Sequence, residues 1–415
     1  MVPYHFPPAT GSSGHLRALS FVRDLPRHGW EPIVMTATRT AYPQGANGAK
    51  TEVPAGVQVH RAFALDAALH LAFRGRYFRR TALPDRWANW ALSAVPLGLA
   101  LIARYRPKVL WTTYPIATAH LIGLALHKLT GIPWIADFRD PMMEVDPYTG
   151  QRYPGEPDLW NARSWIESHV LKHCSRSVFV SAKALTICQE RYPTIPPSVF
   201  SLVPNGYDEE VFTQAERRIS GKPRKKGPVT LLHSGLLYPT PDRDPKDFFL
   251  ALSDMKKANS ISAESLQVVL RASGYDDRYR SQISELGLED IIRLEAPIPY
   301  VEALAEMLTV DGLLLFQGYT SNPAIPAKLY EYLRAQRPVF ALVHEDGETA
   351  ATLRAEGVGT IVPLDSSTSI VRGLVQFLSD VRNGVASVCA HDAVQKHSRV
   401  ARAAELAALL EEIVR

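Results

Sequence analysis

The segment Trp134-Ile-Ala-Asp137-Phe138-Arg139-Asp140-Pro141 sets two carboxylates either side of an arginine at the end of an apolar run. Asp137, Arg139 and Asp140 are the candidate catalytic residues: such carboxylates can orient a hydroxyl or offer a weak base. A structural ion-pair cluster at a strand end is the plainer alternative. Gly11-Ser12-Ser13-Gly14 precedes a helical pattern of Leu16, Leu19, Val22 and Leu25. Backbone N–H groups there are free to face an anion, helped by the helix dipole. Neither a Walker loop nor a GxGxxG fingerprint is present.

Further on, His233-Ser-Gly235-Leu-Leu-Tyr238 leads into Asp242-Arg243-Asp244-Pro-Lys246. Arg243, a planar fork, and Lys246, a point charge, suit a diphosphate. The Asp-x-Asp pattern by which some transferases hold a metal is common by chance, so neither a metal nor a cofactor is expected. Lys328 and Glu331, in Ser321-Asn322-Pro-Ala-Ile-Pro-Ala-Lys328-Leu-Tyr-Glu331, are three apart and share a helix face. A cation beside a carboxylate one turn on suits a phosphate and a vicinal diol, as in a ribonucleoside diphosphate; a solvated intrahelical ion pair is the alternative. Asn205-Gly206 is a turn signal that needs no function.

These segments need a frame that brings them to strand ends. The chain has 415 residues, 46% apolar and 21% charged, with 46 Lys+Arg against 42 Asp+Glu and a net charge of +4. That composition is of a folded globular protein of two or three domains, and too weakly basic overall for a nucleic-acid binder. Three widely spaced cysteines give neither a disulfide framework nor a thiolate metal site, which fits a cytoplasmic location.

Apolar runs alternate with helical patterns from end to end, the mark of βαβ units. Strands are expected at 32–37, 57–62, 109–113, 134–137, 177–181 and 199–203, then at 229–234, 266–272, 291–295, 312–316, 339–343 and 359–362. The fold class is α/β: two doubly wound, Rossmann-like parallel-sheet domains facing an interdomain cleft. The basic, Gly/Pro-rich stretch Glu216–Pro228 reads as an interdomain linker. Domains are expected at 1–212 and 229–388, joined by 213–228, with a final helix in 389–415.

No membrane span is expected, since the longest apolar stretch, Trp90–Ala103, has 14 residues and contains Pro96. Before it, Arg74, Arg76, Arg79, Arg80 and Arg86 interleave with Phe73, Tyr77, Phe78 and Trp87. That segment suits peripheral contact with an anionic membrane surface, through Arg74, Arg76, Phe78, Arg79, Arg80 and Trp87, or is an arginine-rich loop leading into a core helix. No signal peptide is visible. Only Met1-Val2-Pro3 precede Tyr4, so the first strand is expected to be clipped: a start assigned too late, or a strand of two or three residues.

Taken together and in order, Phe6-Pro-Pro…Gly11-Ser-Ser-Gly14-His15, His28-Gly-Trp-Glu-Pro32, Asp137-Phe-Arg-Asp-Pro141, Asn205-Gly-Tyr-Asp208, Gly235…Tyr238 and Lys328-Leu-Tyr-Glu-Tyr332 resemble the family 4 glycosyltransferases, retaining enzymes of the GT-B fold. The resemblance implies an acceptor-binding N-terminal domain and a C-terminal domain that binds a nucleotide-sugar, UDP by family frequency. It also implies a last helix that returns to the N-terminal domain. It assigns Glu331 to the donor ribose and Arg243 and Lys328 to the diphosphate, with Lys246 beside them. Gly11–Gly14 would close over the donor phosphate, and Gly235, Ile298, Ser321 and Asn322 would lie near the base or sugar. Two positions depart: Pro323 stands where the family's first motif glutamate would fall, and Arg139 where many members carry histidine. The expected activity is metal-independent sugar transfer to a glycan, lipid-linked or polysaccharide, at the inner face of the cytoplasmic membrane. A nucleotide-sugar 2-epimerase of the same fold and a non-catalytic nucleotide-sugar-binding scaffold are the alternatives.

Overall fold

A computed structural model describes residues 1–8, 13–42, 53–74, 76–146, 149–220 and 227–415. The chain divides into two compact units, Met1–Asn205 with Arg399–Arg415, and Gly206–Ser398.

In the first unit the strands are β1 (Ile33–Ala37), β2 (Gln58–Ala62), β3 (Leu110–Thr113), β4 (Trp134–Arg139), β5 (Glu144–Val145), β6 (Arg152–Tyr153), β7 (Arg176–Phe179) and β8 (Phe200–Leu202). β1 and β2 pair in parallel, β3-β4-β7-β8 form a parallel sheet, and β5 and β6 make an antiparallel pair. Met1 and Val2 join the two parallel groups. Val2 N donates to Trp111 O at 2.7 Å and Met35 N donates to Met1 O at 2.9 Å. The short first strand is thus a parallel bridge of Val2 with Thr112.

Trp134, Ile135 and Ala136 are fully buried, as expected for a parallel strand covered on both faces. The helix Ser13–Asp24 and the last helix, Arg399–Val414, share one core through Phe21, Val22, Leu25, Trp111, Ile135, Leu406 and Leu410.

The second unit holds β9 (Val229–Ser234), β10 (Leu266–Arg271), β11 (Ile292–Glu295), β12 (Gly312–Gln317), β13 (Val339–Val343) and β14 (Thr360–Val362), all parallel in the order β11-β10-β9-β12-β13-β14. This is the Rossmann order, and the chain reverses direction across the sheet between β9 and β12. Ligands of such sheets bind at that switch point, beyond the strands' carboxyl ends.

Residues 213–219, expected in a linker, are instead part of the helix Glu209–Ile219 of the second unit. Asp208 caps it, accepting from Glu210 N and Val211 N. Phe212 and Ala215 are buried, and Arg334 grips Glu209 at 2.6 and 2.7 Å and Glu216 at 2.8 Å. The charged residues that suggested a linker occupy the outer face of an amphipathic helix. Residues 221–226 of the expected linker lie outside the described residues. Residues 389–398 likewise belong to the second unit, and only the helix from Arg399 belongs to the first.

Among the described residues no helix is long and apolar enough to cross a membrane. Phe73 and Phe78 are 77% and 84% exposed, and Arg74, Arg76, Arg79 and Arg80 are exposed around them. Trp87 does not join that surface. It turns inward onto Tyr4, with ring centroids 4.8 Å apart, and Arg86 lies over its ring.

Candidate functional site

At the switch point of the second unit, β9 ends in His233 and Ser234 and turns at Gly235. His233 is fully buried, and its Nδ1 lies 2.9 Å from Leu314 O. A carbonyl only accepts, so Nδ1 carries the proton and Nε2 offers a lone pair. Lys328 Nζ donates to that Nε2 at 3.2 Å. Burial, and then the Lys328 charge, push His233 well below its ordinary value. Gly235 has φ +119°, and a Cβ there would stand 2.9 Å from Lys328 Nζ. Only glycine lets the ammonium seat against this turn.

Burial, followed by the charge of Arg243, lowers Lys328 from 10.5 to about 7, while Glu331 pulls the other way. An amine held in this range is poised to take up a proton when an anion arrives. Glu331, one turn along the helix Ala327–Ala335, accepts a 2.5 Å hydrogen bond from the Tyr300 hydroxyl. That bond fixes one carboxylate oxygen and orients the other. Arg243 pairs with Asp242 at 3.2 Å and lies over the Tyr238 ring.

The loop carrying Arg243 is fastened to the end of β12. Gly318 N donates to Asp242 O at 2.5 Å, and a Cβ on Gly318 would fall 1.8 Å from Pro241 O. A groove of about 720 Å³ opens beside Gly235, lined by Gly235, Leu236, Gly274, Tyr275, Asp276, Asp277, Arg278 and Pro297 among others. That is room for a nucleotide.

Other expected donor-site residues fall as follows. Half-buried Ile298 follows the groove-lining Pro297. Ser321 and Asn322 form a short turn after β12, and Gln317, almost fully buried, fixes it by donating to Ser321 O at 2.7 Å and Ala324 O at 2.8 Å. Lys246 begins the helix Lys246–Lys257 with an exposed side chain, its charge acting on Asp247. Among the described residues no group of three or more His, Cys, Asp or Glu could hold a metal ion.

In the first unit, Gly11 and Ser12 lie outside the described residues, and Ser13 and Gly14 open the helix Ser13–Asp24. Asp137 is fully buried and its carboxylate is occupied. Arg17 Nε and Nη2 reach its two oxygens at 3.0 and 2.9 Å, and Thr113 donates to Oδ2 at 2.8 Å. Arg17 also donates to Pro204 O and Val203 O, each at 2.9 Å. Asp137 therefore ties the end of β4 to the first helix and, through Arg17, to the exit of β8.

Between Asp137 and Arg139 the register with β7 shifts, and Arg139 has φ +65°. A bulge of this kind re-aims a side chain. Phe138 is buried, stacked on Phe179, while Arg139 Nη1 makes one 3.5 Å contact with Tyr114 O and its Nε has no partner. An unpaired, desolvated donor costs about 1–3 kcal/mol. Burial lowers Arg139 and raises Asp140 from their ordinary values. His5, near the Arg139 charge, is held at about 4, chiefly by burial.

The partners His233, Gln317, Arg17 and Tyr114 were not singled out from the sequence. Gln317 had a readable signal, a polar residue closing the apolar run 312–316; the other contacts join residues far apart in the chain.

Residues 14–206 match the glycosyl transferase 4-like domain. A search among curated proteins finds no match. Solved structures match over the whole chain. Sucrose-phosphate synthase from Thermosynechococcus elongatus has TM-score 0.65 at 15% identity, covering 99% of this chain and 98% of that one. The UDP-forming trehalose-phosphate synthase from Burkholderia xenovorans, in complex with glucose-6-phosphate, has TM-score 0.66 at 13% identity, with 99% of each chain covered. HepE of Anabaena, in complex with UDP and glucose, has TM-score 0.58 at 11% identity, covering 99% and 98%. The parallel sheets of the two units and these likenesses define the GT-B fold. The domain match over residues 14–206, on a chain with this fold, supports a glycosyltransferase similar to family 4.

Proposed function

We propose that the protein transfers a sugar from a nucleoside-diphosphate sugar, UDP-linked, to a glycan acceptor, with retention and without a metal. The observation that carries this is the cluster at the switch point of the second unit, where Lys328 sits against Gly235 and His233 with Glu331 one turn away. In this reading the base lies in the groove beside Gly235 and Pro297, near Ile298, and Glu331 takes the ribose hydroxyls. Lys328 and Arg243 take the diphosphate, with Ser321 and Asn322 near the transferred sugar.

Fixed cations stabilise the leaving diphosphate as charge develops. The departing phosphate oxygen takes the acceptor's proton, so no strong protein base is needed. Arg139 and Asp140 face the acceptor, and Asp137 holds them in place. The named complex of HepE with UDP and glucose supports a UDP donor.

The acceptor is lipid-linked or polymeric, and exposed Phe73 and Phe78 with Arg74, Arg76, Arg79 and Arg80 contact the inner face of the cytoplasmic membrane. Incubating the pure protein with UDP-sugars, with and without lipid-linked acceptors, tests the reading. Acceptor-dependent UDP release supports it; an epimerised donor, or binding with no turnover in any mixture, overturns it.

A further inference from the structure

We infer that the sugar substrate reaching the first unit is anionic, and that Arg139 and Arg163 read its carboxylate or phosphate oxygens. The inference rests on the sugar-transfer reading for the word sugar; the charge comes from the site itself.

Among the described residues neither guanidinium group makes an ion pair, although the charges of Asp140 and Asp137 act on Arg139 and that of Arg163 acts on Asp85. Arg139 Nε and Arg163 Nε are each buried without a hydrogen-bond partner. Their other contacts are single 3.5 Å approaches to main-chain oxygens, Arg139 to Tyr114 O and Arg163 to Met142 O. The carboxylates nearby are engaged or unpaired with them. Asp137 is taken by Arg17 and Thr113. Asp85, whose carboxyl feels the Arg163 charge, accepts from Thr118 N, Thr118 Oγ1 and Trp87 N at 2.8, 2.9 and 3.0 Å. Asp140, next to Arg139 in the chain, makes no ion pair with it among the described residues; burial raises its carboxyl, while the Arg139 charge pulls the other way.

Tyr114 links the two cations. Arg139 approaches its carbonyl, and the charge of Arg163 acts on its phenol, which burial pushes up to about 12. The phenol therefore stays protonated and can donate. Tyr114 follows β3 and Arg139 ends β4, so the group lies beyond adjacent carboxyl ends of a parallel sheet, the usual ligand position.

A neutral sugar would supply acceptors for these donors and leave two partly desolvated positive charges without a direct ion pair. A carboxylate or phosphate monoester supplies both acceptors and charge, and a guanidinium binds either through two parallel bonds. The +65° backbone at Arg139 and the shift in register beside it aim this side chain off the sheet.

The test is titration calorimetry of the full chain with glucose 6-phosphate, glucuronate and glucose, and of UDP-glucuronic acid against UDP-glucose. At least about a tenfold preference for an anionic probe is expected. Preference among the free sugars places the charge on the acceptor; preference among the UDP-sugars places it on the transferred sugar. Either supports the inference, provided Arg139→Gln reduces it to less than about threefold, with Arg139→Lys intermediate because the charge remains and the fork is lost. Arg163→Gln replaces Arg139→Gln if the latter does not fold. Equal binding of charged and neutral probes overturns the inference, as does a preference that survives both substitutions. UDP alone is titrated in parallel: a protein that binds UDP without discriminating charge refutes this inference only, whereas one that fails to bind UDP refutes the donor site.

Discussion

Replacing Lys328 by methionine is expected to stabilise the protein and abolish diphosphate binding in one step. Burial holds the ammonium at about 7, against an ordinary value of 10.5. Folding at neutral pH therefore expels about half a proton and works against the amine's preference for charge. At about 1.36 kcal/mol per unit, the term opposing folding at pH 7 is about 4 kcal/mol. Methionine is of similar length and removes it. The substitution also leaves His233 Nε2 without its donor, a loss of about 1–3 kcal/mol for a buried acceptor. The net gain is about 1–3 kcal/mol, which for a unit of this size is roughly 2–10 °C in melting temperature.

The sign with pH is fixed by the direction of the shift. Because the folded value lies below the unfolded one, the wild-type penalty is absent above about pH 10.5, grows as pH falls, and is complete below about 7. The difference between variant and wild type should be full near neutrality and shrink toward pH 10. Thermal melts of both proteins across that range, with UDP titrations alongside, check both halves. A variant that melts lower than wild type at pH 7, a difference independent of pH, or intact UDP binding would refute the reasoning.

Three further outcomes are expected. UDP-glucose affinity should fall as pH rises above about 7, by up to about tenfold per unit, because the bound diphosphate favours protonated Lys328; Lys328→Arg should flatten that slope in titration calorimetry. Gly318→Ala drives a Cβ to within 1.8 Å of Pro241 O, so urea unfolding should show a loss of about 1–3 kcal/mol and turnover should drop with the displaced Arg243 loop. Asp137→Asn leaves Arg17 buried without its counter-charge, and chemical denaturation should show a loss of about 3–5 kcal/mol; a change under about 0.5 kcal/mol would contradict the positioning role given to Asp137.

The strands were legible because parallel strands covered on both faces must be almost wholly apolar, as in Val339–Val343, where every residue is buried. Their order was not, since nothing local in Val229–Ser234 says that it lies between β10 and β12. Lys328 and Glu331 were readable as a pair because helical spacing puts them on one face, whereas the proximity of Lys328 to His233 spans 95 residues. The same limit applies to Arg17 and Asp137, 120 residues apart: the sequence shows a carboxylate at a strand end and hides the guanidinium that occupies it. That Lys246 opens a helix with an exposed side chain was likewise hidden, because loop composition does not say which way a side chain leaves the backbone. The helix Glu209–Ile219 misled because its charges outnumber its apolar positions, and only the packing of Phe212 and Ala215 reveals its inner face.

The most direct check on the donor site is titration of UDP into the wild-type protein and into Glu331→Ala. Glu331 accepts a hydrogen bond from Tyr300 and in the proposed reading takes the ribose hydroxyls; hydrogen bonds to a charged group contribute about 1.5–3 kcal/mol. Wild-type binding at one site per chain, weakened by about tenfold or more in Glu331→Ala at unchanged melting temperature, is the predicted result. Binding of equal strength by the two proteins would contradict it.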